Sequence, residues 1–149
     1  MKIQEDFKEL LRLFNESNVE YIVVGGYALA YYGVPRYTGD IDLWVKISKD
    51  NAKNILSALH KFGFGSVDVT IEDLSKENQI VQLGYPPVRI DLLTSIDGLS
   101  WVDASKNVVQ ISYDDVPVLL IGKNDFIKNK KASGRHKDLA DIEALGEEI

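Results

Sequence analysis

The chain has 149 residues, two histidines, no cysteine and a formal net charge of −6. That length suits one domain with a real hydrophobic core, and the absence of thiols excludes disulfides and thiolate-held zinc or iron–sulfur centres. His60 and His136 are too few for a multi-histidine zinc site, so a catalytic metal here must be a hard cation held by carboxylates.

In chain order, Phe7, Leu10, Leu11 and Phe14 follow the i, i+3, i+4, i+7 spacing of an amphipathic helix. Asn15 to Asn18 reads as a turn, and the β-branched run Val19 to Val24 as a buried strand. Gly25-Gly26 ends that strand. Tyr27 to Tyr32 predicts a short helix stopped by Gly33 and Pro35. Asp40 to Val45 (D-I-D-L-W-V) alternates polar and apolar residues as a strand does. Ser48 is a candidate N-cap for a helix through Ala52, Ile55, Leu56 and Leu59. Phe62 to Thr70 carries a weaker strand pattern interrupted by glycines, and Glu72 to Ser75 reads as one helical turn. Gln79 to Leu83 and Val88 to Leu93 predict a hairpin around Gly84 to Pro87. Val108 to Ser112 and Val116 to Ile121 are further strands. Asn124 to Glu148 is helical, with a break near Ser133-Gly134. Repeats, low-complexity tracts and linkers are lacking. The order predicts an α+β fold with a mixed sheet flanked by helices, as one domain over 1–149: a core of about 19–121 and a helical C-terminal tail over 122–149.

The start of the chain turns acidic at once, which predicts no secretory leader. No segment is apolar for long enough to span a bilayer, so the expectation is a cytoplasmic protein. Charge is uneven. From Lys123 to Lys137 six basic residues (Lys123, Lys128, Lys130, Lys131, Arg135 and Lys137) face one acid, Asp125, a local +5, and the remainder carries −11. A basic segment on an acidic body suggests one site for a polyanion; a solvated helix face is the competing assignment.

Asp40 and Asp42 are two apart on a strand, so both carboxylates leave one face while Ile41 and Leu43 enter the core. Adjacent carboxylates repel, and a divalent cation relieves that repulsion best. Asp91 lies in a second apolar strand. If the two strands are neighbours, three carboxylates converge as in phosphoryl-transfer metal sites. The plainer assignments are a solvent-facing Asp-x-Asp and an Asp91 paired with Arg89. Gly25-Gly26, between strand and helix, permits a sharp turn and close approach of an anion to backbone N–H groups; glycine pairs also make turns that bind nothing.

Together, Gly25-Gly26, the Asp40-Ile41-Asp42 strand separated from it by thirteen residues (Tyr27 to Gly39), and Asp91 between Ile90 and Leu92 resemble the signature of the DNA polymerase beta-like nucleotidyltransferase superfamily. The tail, from Asp125 to Asp141, is similar to that of stand-alone bacterial nucleotidyltransferases such as abortive-infection toxins, in which a lysine precedes an Arg-x-Lys-Asp stretch; Lys130, Arg135, Lys137 and Asp138 match it. The resemblance implies a palm-like nucleotidyltransferase fold and magnesium, or manganese in its place, on Asp40, Asp42 and Asp91, the catalytic residues. It implies a nucleoside triphosphate held by Gly25 and Gly26, with Lys130, Arg135 and Lys137 on the phosphates and Arg36 and Thr38 as weaker phosphate contacts. Trp44, Trp101, Tyr31 and Tyr37 are candidates for stacking on a base, with core packing the competing role.

The implied reaction moves a nucleoside monophosphate to an acceptor hydroxyl and releases pyrophosphate. An RNA acceptor such as a tRNA 3′ end is favoured by the basic tail. A small-molecule acceptor such as an antibiotic is favoured by the Gly-Gly-Tyr-Ala start of the turn. A partner protein in a toxin–antitoxin pair is a third option, and a non-catalytic nucleotide-binding or antitoxin module a fourth.

Overall fold

The computed structural model describes residues 4–34, 39–64, 68–85 and 87–146. The stripe Phe7, Leu10, Leu11 and Phe14 forms one face of α1 (Glu5–Glu16), and all four side chains are fully buried. The chain then crosses as β1 (Tyr21–Val24) and turns directly into α2 (Gly25–Tyr31). It returns as β2 (Asp40–Val45), which alternates part-buried and buried residues before a fully buried end.

Ser48 caps α3 (Lys49–Phe62) as expected, its Oγ accepting from the Asn51 backbone N–H at 3.0 Å. The strand predicted over 62–70 is not present in the described part of that stretch. Phe62 ends α3, Gly63 closes the helix in a left-handed conformation (φ 106°), and 68–70 is irregular. A glycine at that position satisfies the last carbonyls of the helix as a C-cap rather than interrupting a strand.

A single 3-10 turn (Asp73–Ser75) leads to β3 (Ile80–Tyr85) and β4 (Val88–Leu93), the predicted hairpin. A short helix, α4 (Trp101–Ser105), falls outside the elements predicted from sequence; Ser100 caps it by accepting from the Asp103 N–H. Then follow β5 (Val109–Tyr113), β6 (Val116–Leu120), α5 (Lys123–Ser133) and α6 (His136–Ala144), the last two separated by Gly134 at φ 65°.

The strands make one mixed sheet in the order β3-β4-β2-β1-β6-β5. β2 runs parallel to β4 and antiparallel to β1, and β1 is parallel to β6. On one face, Ile41, Leu43, Ile90 and Leu92 are fully buried in the same cluster as the apolar stripes of α1 and α3. By strand alternation the opposite face carries Asp40, Asp42, Arg89 and Asp91. Fully burying each such aliphatic side chain contributes about 1.5–3 kcal/mol, so the strands bearing the carboxylates are fixed from behind.

Asn51, 2% exposed, ties α3 to the residue before β1 and the residue after β2. Its Oδ1 accepts from the Glu20 N–H at 2.7 Å, and its Nδ2 donates to the carbonyls of Glu20 (3.0 Å) and Lys46 (2.8 Å). Replacement by leucine takes the side-chain partner from the Glu20 N–H and the Lys46 carbonyl, while the Glu20 carbonyl keeps the Lys46 N–H at 3.2 Å, and a destabilisation of about 2 kcal/mol is expected by urea unfolding.

Candidate active site

The site is built on the β2–β4 pairing. Asp42 lies directly opposite Asp91, and Asp40 opposite Arg89. Each of Asp40, Asp42 and Asp91 offers a carboxylate oxygen, and these three atoms lie within 4.8 Å of one another. Asp91 is 7% exposed, and the other two are part-buried. Burial, then the charges of Asp40 and Asp91, push the Asp42 carboxyl up to about 7 from its ordinary value of 3.8, with Lys130 opposing the rise. Burial and then the charge of Asp91 raise Asp40 as well.

Arg89 partly relieves this crowding. Its Nε donates to Asp91 Oδ1 and its Nη2 to Oδ2, both at 3.2 Å. Both assignments of Asp91 therefore hold: it pairs with Arg89 and also stands in the carboxylate cluster. A cluster that holds a proton near neutrality is one short of positive charge. Three oxygen donors without nitrogen or sulfur suit magnesium or manganese better than zinc, so the residues present fit a hard divalent cation.

The glycine turn abuts the same cluster. Val24 pairs with Asp42 across β1 and β2, so Gly25 begins where the carboxylate ends. Gly25 has φ 68°, and a Cβ on it would stand 2.0 Å from Asp42 Oδ2. Only glycine satisfies both the left-handed backbone and that approach.

The opposite wall comes from the tail. Gly25, Gly26, Asp40, Asp42, Lys130, Arg135 and Lys137 line a cavity of about 280 Å³. A second cavity of about 520 Å³ shares Gly25, Asp42, Lys130 and Arg135 and extends to Asn78, Ile80, Ser95, Asp97 and Asn129. The loop after β4 reaches α5 closely enough that Asn129 Nδ2 donates to the Asp97 carbonyl at 2.9 Å, and a Cβ on Gly98 would lie 2.6 Å from Ala132 Cβ. The other polar residues of this second cavity, Asn78, Gln79, Ser95, Asp97 and Asn129, were not among the residues singled out from sequence. Asp97-Gly98, a turn signal, was their only local mark.

Eight of the ten residues assigned to metal and phosphates thus meet at one cleft: Gly25, Gly26, Asp40, Asp42, Asp91, Lys130, Arg135 and Lys137. Arg36 and Thr38 lie outside the described residues, as does Tyr37. Trp44 is core, 2% exposed, with its ring edge-on to Trp101 at 5.3 Å, while Tyr31 is 45% exposed. The tail is less free than its charge suggested. Lys130 Nζ lies 3.3 Å from Asp138 and 3.5 Å from Asp141, and Arg135 Nε donates to Asp138 at 2.8 Å.

A glycine turn against an Asp-x-Asp strand, with a third carboxylate on a parallel neighbour, is the arrangement of the nucleotidyltransferase superfamily, as the sequence resemblance implied. The model of the aminoglycoside-2''-adenylyltransferase family matches residues 6–118, most of the chain, and the chain belongs to that family. The matched stretch holds the turn and all three carboxylates and ends before α5. The chain is also similar in fold to an antigenic nucleotidyltransferase-like protein from Paracoccidioides brasiliensis, whose crystal structure superimposes with a TM-score of 0.54 at 20% identity, over 97% of this chain and 76% of that one. No curated protein matches the chain. Among the described residues no helix is long and apolar enough to cross a membrane.

Proposed function

We propose that the protein transfers a nucleoside monophosphate from a nucleoside triphosphate to an acceptor hydroxyl. The acceptor oxygen bonds to the α-phosphorus, the bond from that phosphorus to the bridging oxygen breaks, and pyrophosphate leaves. The observation that carries this reading is the in-register opposition of Asp42 and Asp91 beside the Gly25 turn.

Asp40, Asp42 and Asp91 would hold two magnesium or manganese ions, which would neutralise phosphate charge and lower the pKa of the attacking hydroxyl. Asp91 accepts the hydroxyl proton. Gly25 and Gly26 let the triphosphate approach the backbone, and Lys130, Arg135 and Lys137 meet its oxygens from the opposite wall. The assignment of Arg36 and Thr38 to the phosphates rests on the resemblance alone.

A small-molecule acceptor fits best. The 520 Å³ cavity is within the usual range of about 300–1,000 Å³ for such ligands, and its far side is mostly uncharged. The family's description, an aminoglycoside adenylyltransferase, points the same way. An RNA acceptor is the second reading, favoured by the exposure of Lys128, Lys131 and Lys137.

The test is transfer of label from each α-phosphate-labelled nucleoside triphosphate, with magnesium, to an aminoglycoside panel, to total tRNA and to a protein extract. Labelled aminoglycoside is expected, and Asp91→Asn should lower its formation by at least about 10³-fold. Label confined to tRNA would select the second reading, and label on a protein would point to a toxin–antitoxin partner. Absence of product together with absence of magnesium–nucleotide binding would leave a non-catalytic module.

A further inference from the structure

The family match ends at residue 118, so α5 and α6, which supply the cationic wall, lie beyond it. At their elbow stands a carboxylate that the proposed reaction does not use. Asp138 has no exposed surface, a costly place for a charge unless it is thoroughly paired. Oδ2 accepts from the Ser133 hydroxyl at 2.8 Å, from Arg135 Nε at 2.8 Å and from the Arg135 backbone N–H at 3.3 Å. Oδ1 accepts from Lys130 Nζ at 3.3 Å and from Arg135 Nη2 at 3.4 Å. Burial works to raise this carboxyl, but the donors from Arg135, Ser133 and Lys130 outweigh it and hold the group below the usual carboxylate range.

We propose that Asp138 is a positioning residue, which does not touch the nucleotide but holds Lys130 and Arg135 against the cleft where the substrate's polyphosphate lies. The proposal rests on the phosphate-binding reading of the cleft. Both cations line both cavities at the carboxylate cluster. The Arg135 side chain is 71% exposed; without an anchor such a side chain loses rotamer freedom on meeting a ligand. Pairing through Nε and one Nη2 proton fixes the plane of the guanidinium and leaves the rest of its fork for phosphate oxygens.

Asp138 also sits three residues after the Arg135 N-cap and closes a capping box on α6, so a purely structural role is the alternative. The two roles differ in sign. Removing a negative charge beside two cations that stay in place strengthens anion binding. Removing the anchor that holds them in place weakens it.

The experiment is calorimetric titration of inorganic pyrophosphate, with magnesium, into the wild-type protein, Asp138→Asn and Ser133→Ala, with circular dichroism to confirm folding. Asp138→Asn should weaken pyrophosphate binding about tenfold and raise KM for the nucleoside triphosphate by the same factor, with kcat within about threefold. Ser133→Ala, which changes no charge, should move both in the same direction by about two- to threefold. A folded Asp138→Asn that binds pyrophosphate as tightly as wild type, or more tightly, would overturn the proposal. If Asp138→Asn does not fold, unchanged affinity in Ser133→Ala overturns it. A wild-type protein that binds no pyrophosphate would instead sink the phosphate-cleft reading, and the positioning role with it.

Discussion

Asp42→Asn is expected to abolish nucleotidyl transfer, by at least about 10³-fold, and yet to make the metal-free protein more stable at neutral pH. Both effects come from the crowding of the three carboxylates. The Asp42 carboxyl is pushed up to about 7 in the folded chain against an ordinary 3.8. Between those values the folded protein keeps a proton that the unfolded chain has lost, so stability falls as pH rises through that window. At pH 8 the cost to the wild-type, metal-free protein is about 2–4 kcal/mol. Asparagine has the shape of aspartate without the charge, so the variant should melt roughly 5–10 °C higher there. It should also lose most of the pH dependence between about 4 and 7. Magnesium should stabilise the wild type by mass action and leave the variant almost unmoved. Thermal unfolding from pH 4 to 8, with and without magnesium, measures all of this. A variant less stable than wild type at pH 8 without metal would show that the carboxylates do not repel as described.

Gly25→Ala carries the second large effect. A left-handed φ of 68° costs a non-glycine residue about 1–3 kcal/mol. The added methyl also meets Asp42 Oδ2 at 2.0 Å, so the carboxylate must move. A displacement near 1 Å at reacting groups costs about 10²-fold, and kcat/KM should fall by about that factor, with weaker manganese binding alongside. Gly33→Ala separates strain from collision. Gly33 has φ 120° and nothing within 4 Å of its would-be Cβ, so that variant should lose stability but keep its activity. Equal loss of activity in both variants would remove the collision from the explanation.

The local parts of the site were legible because each rests on a short-range rule. Alternation along a strand puts Asp40 and Asp42 on one face whatever the strand pairs with, and a glycine pair between strand and helix marks a turn that tolerates close approach. The meeting of Asp42 with Asp91 was only conditional in the sequence. The parallel register of β2 on β4 is a pairing across some fifty residues, set by the whole sheet, and no local pattern encodes it. Helix α4 escaped because its five residues are too few to show a helical period. The stretch 62–70 misled because its apolar residues flank Gly63, whose left-handed conformation ends α3.

The tail shows a different limit. Its charge was visible in the sequence, but charge composition does not reveal pairing. From sequence, Arg135 could meet either phosphates or Asp138, and the tail's lysines could pair locally; only the fold of α6 shows Lys130 and Arg135 converging on one buried carboxylate, Asp138. The basic wall is thus partly neutralised. That favours an ordered cleft for one polyphosphate over a diffuse nucleic-acid surface, whose affinity would depend steeply on salt.

The most direct test of the nucleotidyl-transfer account compares two labels on one nucleoside triphosphate, one at the α-phosphate and one at the γ-phosphate, in parallel reactions with magnesium and the acceptor panel. α-Label is expected on the acceptor and γ-label only in pyrophosphate, and Asp42→Asn should yield neither. Transfer of γ-label to the acceptor would contradict nucleotidyl transfer, because the carboxylate cluster would then be serving a phosphotransferase.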